Sequence, residues 1–553
     1  MPLRVPRGPA DERKEPSLDT AYVNGKIYTV NSKQPWAEAI LVQTGVITAI
    51  GTDDDVRQRM SKDAHLVDLE GRMVMPGIHD AHLHLLFSGL KFKFEPHLSP
   101  GGGQQQAIED IKSCNCSGPG DGAGNTWVLG GDFFPPDFGP EGVNKDFLDE
   151  AFPDQPVFLY DYTIHHGLAN SKALELAGIT DDVVDPPGGR YIRDEATGSL
   201  TGEMVEHARW PVLRSIPDYT TAINAEAIAW AVSVCHKYGI TSVQEASASP
   251  QALKAFKDLD TAGALNIHIA AHLVWRDEGF GMAKLEDLES MIQNRAEWAT
   301  KHVDTNFIKV WLDGAPLPPH FTQADLTEDG TVDESSILVP QEEFLTRLTE
   351  FDAAGLTVKI HCAGEGSTRR ALDTIASVRQ TNGPEGPRHE IAHAGFIEAN
   401  DYGRLEKNNV VAEMSPAIWH VPEYGLMDYY HFNSVLKHQA HMTVGSDWII
   451  TPDPNLFPAL QGMLQHGSES IDLDTAIEAM TISGARAVNQ EKHRGSLETG
   501  KSADFIVLDR DIFAVDADEI GATQVLRTVF EGETVFLHER LEEQPRATVG
   551  RTA

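Results

Sequence analysis

Residues 71–85 read GRMVMPGIHDAHLHL, an apolar run closed by His82 and His84 one residue apart. On a strand, side chains two positions apart project from the same face, so the two imidazoles converge as metal ligands would. A His-x-His pair alone is equally an exposed polar face or two satisfied core histidines, and the remaining sequence has to decide. Three later apolar segments also end in candidate ligands: FIKVWLDG with Lys309 and Asp313, TVKIHCAG with His361, and EIAHAG with His393. A fourth, HMTVGSD, ends in Asp447. Imidazole and carboxylate suit a borderline divalent cation such as zinc, and a catalytic site keeps one position open for water.

Working outward, strand-like segments alternate with helical ones: GRMVMPGIHDAHLHL first, then ITSVQEAS after the helical AEAIAWAVSVCHKYG, LNIHIAAHLVW, FIKVWLDG, TVKIHCAG, EIAHAG, VVAEMSP and HMTVGSD. Eight parallel strands separated by helices predict an α/β fold, a (β/α)8 TIM barrel whose active site lies at the carboxyl ends of the strands. Short strands with turn signals flank this core, AYVNGKIYTV near one end and ADFIVLDRD with TQVLRTVFEGETVF near the other. The expected organisation is a flexible arm at residues 1–17 and a β-sandwich built from 18–75 and 488–545. The barrel then spans 76–487, with an inserted subdomain at 91–215 over its mouth.

The chain has 553 residues, enough for a large barrel and a smaller partner domain. Lys and Arg total 45 against 83 Asp and Glu, and the net charge of -38 argues against nucleic acid or an anionic membrane surface as a partner. Cys114, Cys116, Cys235 and Cys362 show no spacing of a zinc knuckle or disulfide framework, which fits a reducing, cytoplasmic compartment. Cys362 alternates with His361 and reads as a core thiol. The first residues lack the apolar stretch of a signal peptide, and no run is long enough for a membrane helix. Asn115-Cys116-Ser117 matches a glycosylation acceptor without a secretory signal to give it meaning. A Gly-x-Ser-x-Gly elbow is absent, which leaves water as the expected nucleophile.

Together with IHHGLANSKALELAGI, GGRYIRDEATGSLTGEM, YGITSVQEA, RHEIAHAG, TVGSDW and GSLETGKSADFIVLDRD, these motifs resemble the amidohydrolase superfamily, in its long-chain branch typified by N-substituted formamide deformylase. The resemblance implies metal ligands at His82, His84, His361 and His393, a bridging carboxylated lysine at Lys309, and a catalytic, metal-binding aspartate at Asp447. It also implies that His165 steadies the substrate carbonyl. The cofactors would be two divalent ions, zinc being the first expectation, and the products those of C-N hydrolysis of an amide, N-substituted formamide or N-acyl compound by a metal-activated hydroxide. A cyclic amide, carbamate or ester hydrolase, a deaminase, or a non-catalytic binding protein of the same fold are the alternatives. The expected partners are a small-molecule substrate and a second copy of the chain in a homodimer. Two positions depart from the pattern: Thr163-Ile164 precede His165 where an acidic residue and glycine are usual, and Glu245 replaces an aspartate.

Lys309 has a chemical reason to be carboxylated. A buried amine of lowered pKa reacts with carbon dioxide to give a carbamate with two anionic oxygens, whereas a lysine paired with Asp313 would be purely structural. Asp447 is equally of the type that caps a helix, and His165 of the type found in a loop without a ligand. Asp80, on the same face as the two histidines, reads as a residue that orients them. Trp311, Asp313, His320, Trp419 and Trp448 lie just beyond strand ends and are candidates for the pocket wall.

Overall fold

The computed structural model describes residues 19–114, 116, 118–120, 126–139, 143–415 and 429–542. Trp419, the arm at 1–17 and both Asn115 and Ser117 of the acceptor motif lie outside the described residues.

Its largest sheet is all parallel and follows chain order: β1 (Ile78–Leu83), β2 (Ile240–Ala248), β3 (His268–Val274), β4 (Val303–Trp311), β5 (Thr357–His361), β6 (His389–Ala392), β7 (Val410–Met414) and β8 (His441–Val444). Nearly every strand residue is buried, as expected for parallel strands packed on both faces, and the segments accordingly read as apolar runs. The ring closes at its seam: Asp447 N donates to His82 O at 2.7 Å, and Leu83 bridges Trp448 in parallel register. Helices cover the outside. The helix Thr221–Lys237 starts at Thr220, whose side chain accepts from Ile223 N. It buries Ala227, Ile228, Ala231, Val232 and Cys235, the spacing of one helical face, and packs on the helix Leu85–Phe94.

Segments from both sides of the barrel, within residues 20–76 and 505–537, meet in a second unit. One sheet orders Val46–Gly51, Ala39–Gln43, Thr20–Val23 and His65–Asp68. The other orders Glu533–Leu537, Val525–Phe530, Phe505–Leu508, Met73–Pro76, Lys26–Tyr28 and Trp36–Ala37. Tyr22, Ile27, Val42, Val74, Phe505 and Val529 form their shared core. Met73–Pro76 belongs to this unit and β1 to the barrel, so residues 71–85 thread from one to the other through Gly77, where a Cβ would lie 2.2 Å from Thr241 Oγ1. Between β1 and β2 the inserted segment carries its own sheet, ordered Gly189–Arg193, Leu200–Glu206, His166–Ala169, Val157–Asp161 and Val128–Phe133.

Cys114 and Cys116 lie close together after the helix Gly103–Ser113, with Cα atoms 5.1 Å apart. Cys235 and Cys362 are free and buried. Among the described residues no helix is long and apolar enough to cross a membrane.

The seam leaves no room for a side chain at Gly445, where a Cβ would lie 2.5 Å from both His82 N and His82 Cβ. Gly445→Ala is expected to destabilise the chain by about 1–3 kcal/mol through overpacking. Urea unfolding followed by circular dichroism checks this, and an unchanged midpoint would show that the seam has slack.

Candidate metal centre

His82 and His84 leave β1 on its inner face, both buried, and each is oriented through its Nδ1. His82 Nδ1 lies 2.6 Å from Glu413 Oε2 on β7, and His84 Nδ1 lies 2.7 Å from Ser247 Oγ on β2. Ser247 donates onward to Glu245 Oε1 at 3.4 Å, and Glu245 Oε2 accepts from Leu85 N at 2.7 Å. Both Nδ1 atoms therefore carry the proton, and both Nε2 lone pairs turn to Asp447 Oδ1, at 3.6 Å and 3.4 Å. The donor atoms of His82, His84 and Asp447 all lie within 4.8 Å of one another.

Asp447 reaches inward because its backbone adopts φ 51°, a left-handed conformation that aspartate tolerates better than most residues. Asp80, at the base of this loop, accepts from His82 N and Ser446 N, both at 3.0 Å, and so fixes the two strands that carry ligands.

On the opposite side, His361 ends β5 and His393 follows β6. His361 Nε2 lies 3.0 Å from Gly314 O, which leaves its Nδ1 facing His393 Nε2 at 3.0 Å. His393 Nδ1 is buried without a hydrogen-bond partner among the described residues and lies 3.8 Å from Asp447 Oδ2. Burial holds the pKa of His82, His84, His361 and His393 below the ordinary histidine value, so these rings are neutral and chemically able to act as ligands. Lys309 lines the same cavity as both groups of histidines. Its side chain is fully buried, and Nζ has no hydrogen-bond partner among the described residues, resting 4.8 Å from the Trp311 ring centre. Burial, and next the positive charge of Lys359, bring its pKa down to about 7.

All six residues line one cavity of about 60 Å³ together with His165, Trp311 and Phe280. A lone pair pointing at a carboxylate and an amine with nothing to bond are unfavourable in a dry interior, and a divalent cation among these donors removes the conflict. The donor set fits such an ion. His165 enters from the insertion, with Nδ1 3.1 Å from Glu206 Oε2 and its ring 5.2 Å from that of His361.

Of the pocket candidates, Trp311 lines the cavity and three others do not. Asp313 is fully buried, accepting from Ala324 N, Ala363 N and Ser367 Oγ; it pins the loops after β4 and β5 and is not paired with Lys309. His320 is drawn away by Glu203, 2.7 Å from its Nε2. Trp448 points out of the barrel and stacks on Phe92 and Trp230, because the turn that sends Asp447 inward sends its neighbour outward.

The sequence reading missed the charged layer beneath the ligands. Lys359 Nζ donates to Ala81 O at 2.6 Å, pairs with Glu390 Oε2 at 2.9 Å and lies 4.0 Å from Glu413 Oε2, all of it buried. Its signal was present: Lys359 alternates with His361, and Glu390 and Glu413 interrupt otherwise apolar strands. Removing the carboxylate behind His82 should weaken metal binding selectively. Glu413→Gln is expected to lose about 10–100-fold in metal affinity while keeping its fold, measured by titrating zinc into metal-stripped protein; an unchanged affinity contradicts the orienting role.

Comparison with known proteins places this geometry. The amidohydrolase family profile matches residues 65–536. The chain is 26% identical to Protein LONG AFTER FAR-RED 3 of Arabidopsis thaliana, over 94% of this chain and 91% of that one. It is also 26% identical to N-substituted formamide deformylase of Arthrobacter pascens, over 94% and 98%. The crystal structure of an uncharacterized metal-dependent hydrolase from Pyrococcus horikoshii OT3 has the same fold, with TM-score 0.71, 21% identity and coverage of 91% of this chain and 99% of that one. The chain is a hydrolase that belongs to the amidohydrolase family.

Proposed function

We propose that the chain hydrolyses the C-N bond of a small amide, with N-substituted formamides as the substrate class, at a centre for two divalent ions. The observation that carries this reading is the convergence of four neutral histidines, Asp447 and an unpartnered buried lysine on one small cavity. His82, His84 and Asp447 would hold one ion, His361 and His393 the other, and Lys309 as a carbamate would lie between them. When bound, such ions lower the pKa of water and polarise a carbonyl.

The protein's own groups supply the rest. Lys309, with its pKa near 7, has neutral amine available to attack carbon dioxide, forming the N-C bond and releasing a proton. Asp447 accepts the proton of the attacking water and delivers it to the departing nitrogen. The water oxygen bonds the carbonyl carbon, the C-N bond breaks, and an amine and a carboxylic acid leave. Glu206, 3.1 Å from His165 Nδ1, orients the ring so that its other nitrogen faces the carbonyl oxygen, where an N-H donor would stabilise the negative charge that develops. A cavity of about 60 Å³ favours a formyl or similarly small acyl group over a purine-sized ring.

Two measurements test this. His165→Ala should lower kcat for N-substituted formamides by about 10²–10³-fold, read as formate release, with the metal content unchanged. A loss of metal, or an unchanged rate, assigns His165 elsewhere. Because a lysine loses its proton as pH rises through its pKa, protein stripped of carbon dioxide should regain activity with bicarbonate at about pH 8 and far more slowly at about pH 6. Equal recovery at both argues against a carbamate on Lys309.

A further inference from the structure

The cavity around the ligands, about 60 Å³, has room for the reacting group of a substrate and little more. Beside it lies a larger one of about 320 Å³, roofed by the insertion. Ile164 and Phe280 line both and form the partition. Phe280 is held by stacking on Trp311, ring centres 4.5 Å apart. Ile164 adopts φ 61°, a strained conformation for a β-branched residue, and is kept there by Arg209, which donates to its carbonyl at 2.5 Å, and by its own N-H to Asp161 O at 3.0 Å.

The larger cavity is suited to a neutral, apolar guest. Leu90, Leu129, Leu213 and Ile216 contribute to its wall, and its basic groups are already committed. Lys91 bonds Asp132 and Ile449 O, Arg214 pairs with Glu278, and Arg209 donates to the carbonyls of Ile164 and Glu206. Lys284 shares the wall with Asp218 and Asp287. Glu95, the buried acid, accepts from Tyr219 at 3.2 Å, and burial pushes its carboxyl up to about 7, which weakens it as an anchor for a cation. The charge of Arg209 is offset at longer range by the buried carboxylates of Glu206 and Asp161, so the wall as a whole does not favour an ion.

Position assigns the cavity to one end of the substrate. It is lined by Phe87, three residues beyond His84, and by Ile449, two beyond Asp447, the group proposed above to return a proton to the departing nitrogen. We propose that this cavity binds the nitrogen substituent of the substrate and selects neutral aryl or branched-alkyl groups, which pass between Ile164 and Phe280 while the small acyl group stays with the ligands. The assignment of ends rests on the hydrolysis proposed above.

The test uses full-length, metal-loaded protein and the series N-methyl-, N-butyl- and N-phenethylformamide, with N-formylglycine as the anionic member. The expected result is a kcat/KM that rises about threefold or more per added methylene, with N-formylglycine below its neutral counterparts. Leu213→Trp and Leu129→Trp, each filling the cavity, should lower the N-phenethyl to N-methyl ratio by about tenfold or more. Two variants on separate elements guard against one that fails to fold. A flat series, a preference for N-formylglycine, or an unchanged ratio in a folded variant overturns the cavity assignment and leaves C-N hydrolysis standing. If no formamide is cleaved, the hydrolysis reading fails instead. Calorimetry then decides the cavity: tighter binding of N-phenethyl- than N-methylformamide, lost in Leu213→Trp, supports it, and equal binding overturns it.

Discussion

Lys309 sets the constraint around which the centre of this barrel is built. Its amine is fully buried, and no acceptor among the described residues bonds it. An unpaired ammonium in such a place costs several kcal/mol, more than most single interactions return. Burial and the nearby Lys359 therefore favour the neutral amine, and the proposed carbamate turns the same atom into an anionic bridge. The histidines obey the same dry surroundings, which keep them uncharged. Beneath them Lys359 and Glu390 neutralise one another, and Glu413 accepts a hydrogen bond from His82 Nδ1-H.

Closure of the fold and assembly of the centre are one event at the seam. Asp447 N donates to His82 O, so the hydrogen bond that completes the ring also positions a candidate ligand beyond its last strand against one from its first. Asp80 ties the same two segments through His82 N and Ser446 N. The ligands therefore converge only in the folded chain, since residues separated by hundreds of positions must be in register. The insertion completes the site from above, contributing His165 and the partition residue Ile164.

Much of this was legible in the sequence, for local reasons. The period of two placed His82 and His84 together, and buried parallel strands announced themselves as apolar runs. What escaped depended on contacts between distant segments. Asp313 looked like a pocket residue until the loops carrying Ala324 and Ala363 were seen to bond it. His320 was captured by Glu203 of the insertion, a partner no local pattern reveals. Trp448 was taken for a pocket residue because it lies just beyond a strand end, whereas its ring stacks outside the barrel on Phe92 and Trp230, partners far away in the sequence. Lys359 and Glu413 were passed over because a buried charge is intelligible only once its counter-charge, on another strand, is known.

The most direct test of the binuclear account is an anomalous-diffraction map from crystals of the protein grown with zinc and bicarbonate. The account predicts two peaks, one among His82, His84 and Asp447 and one beside His361 and His393, with density for a carboxyl group on Lys309 between them. A single peak with Lys309 bearing a plain amine would contradict it.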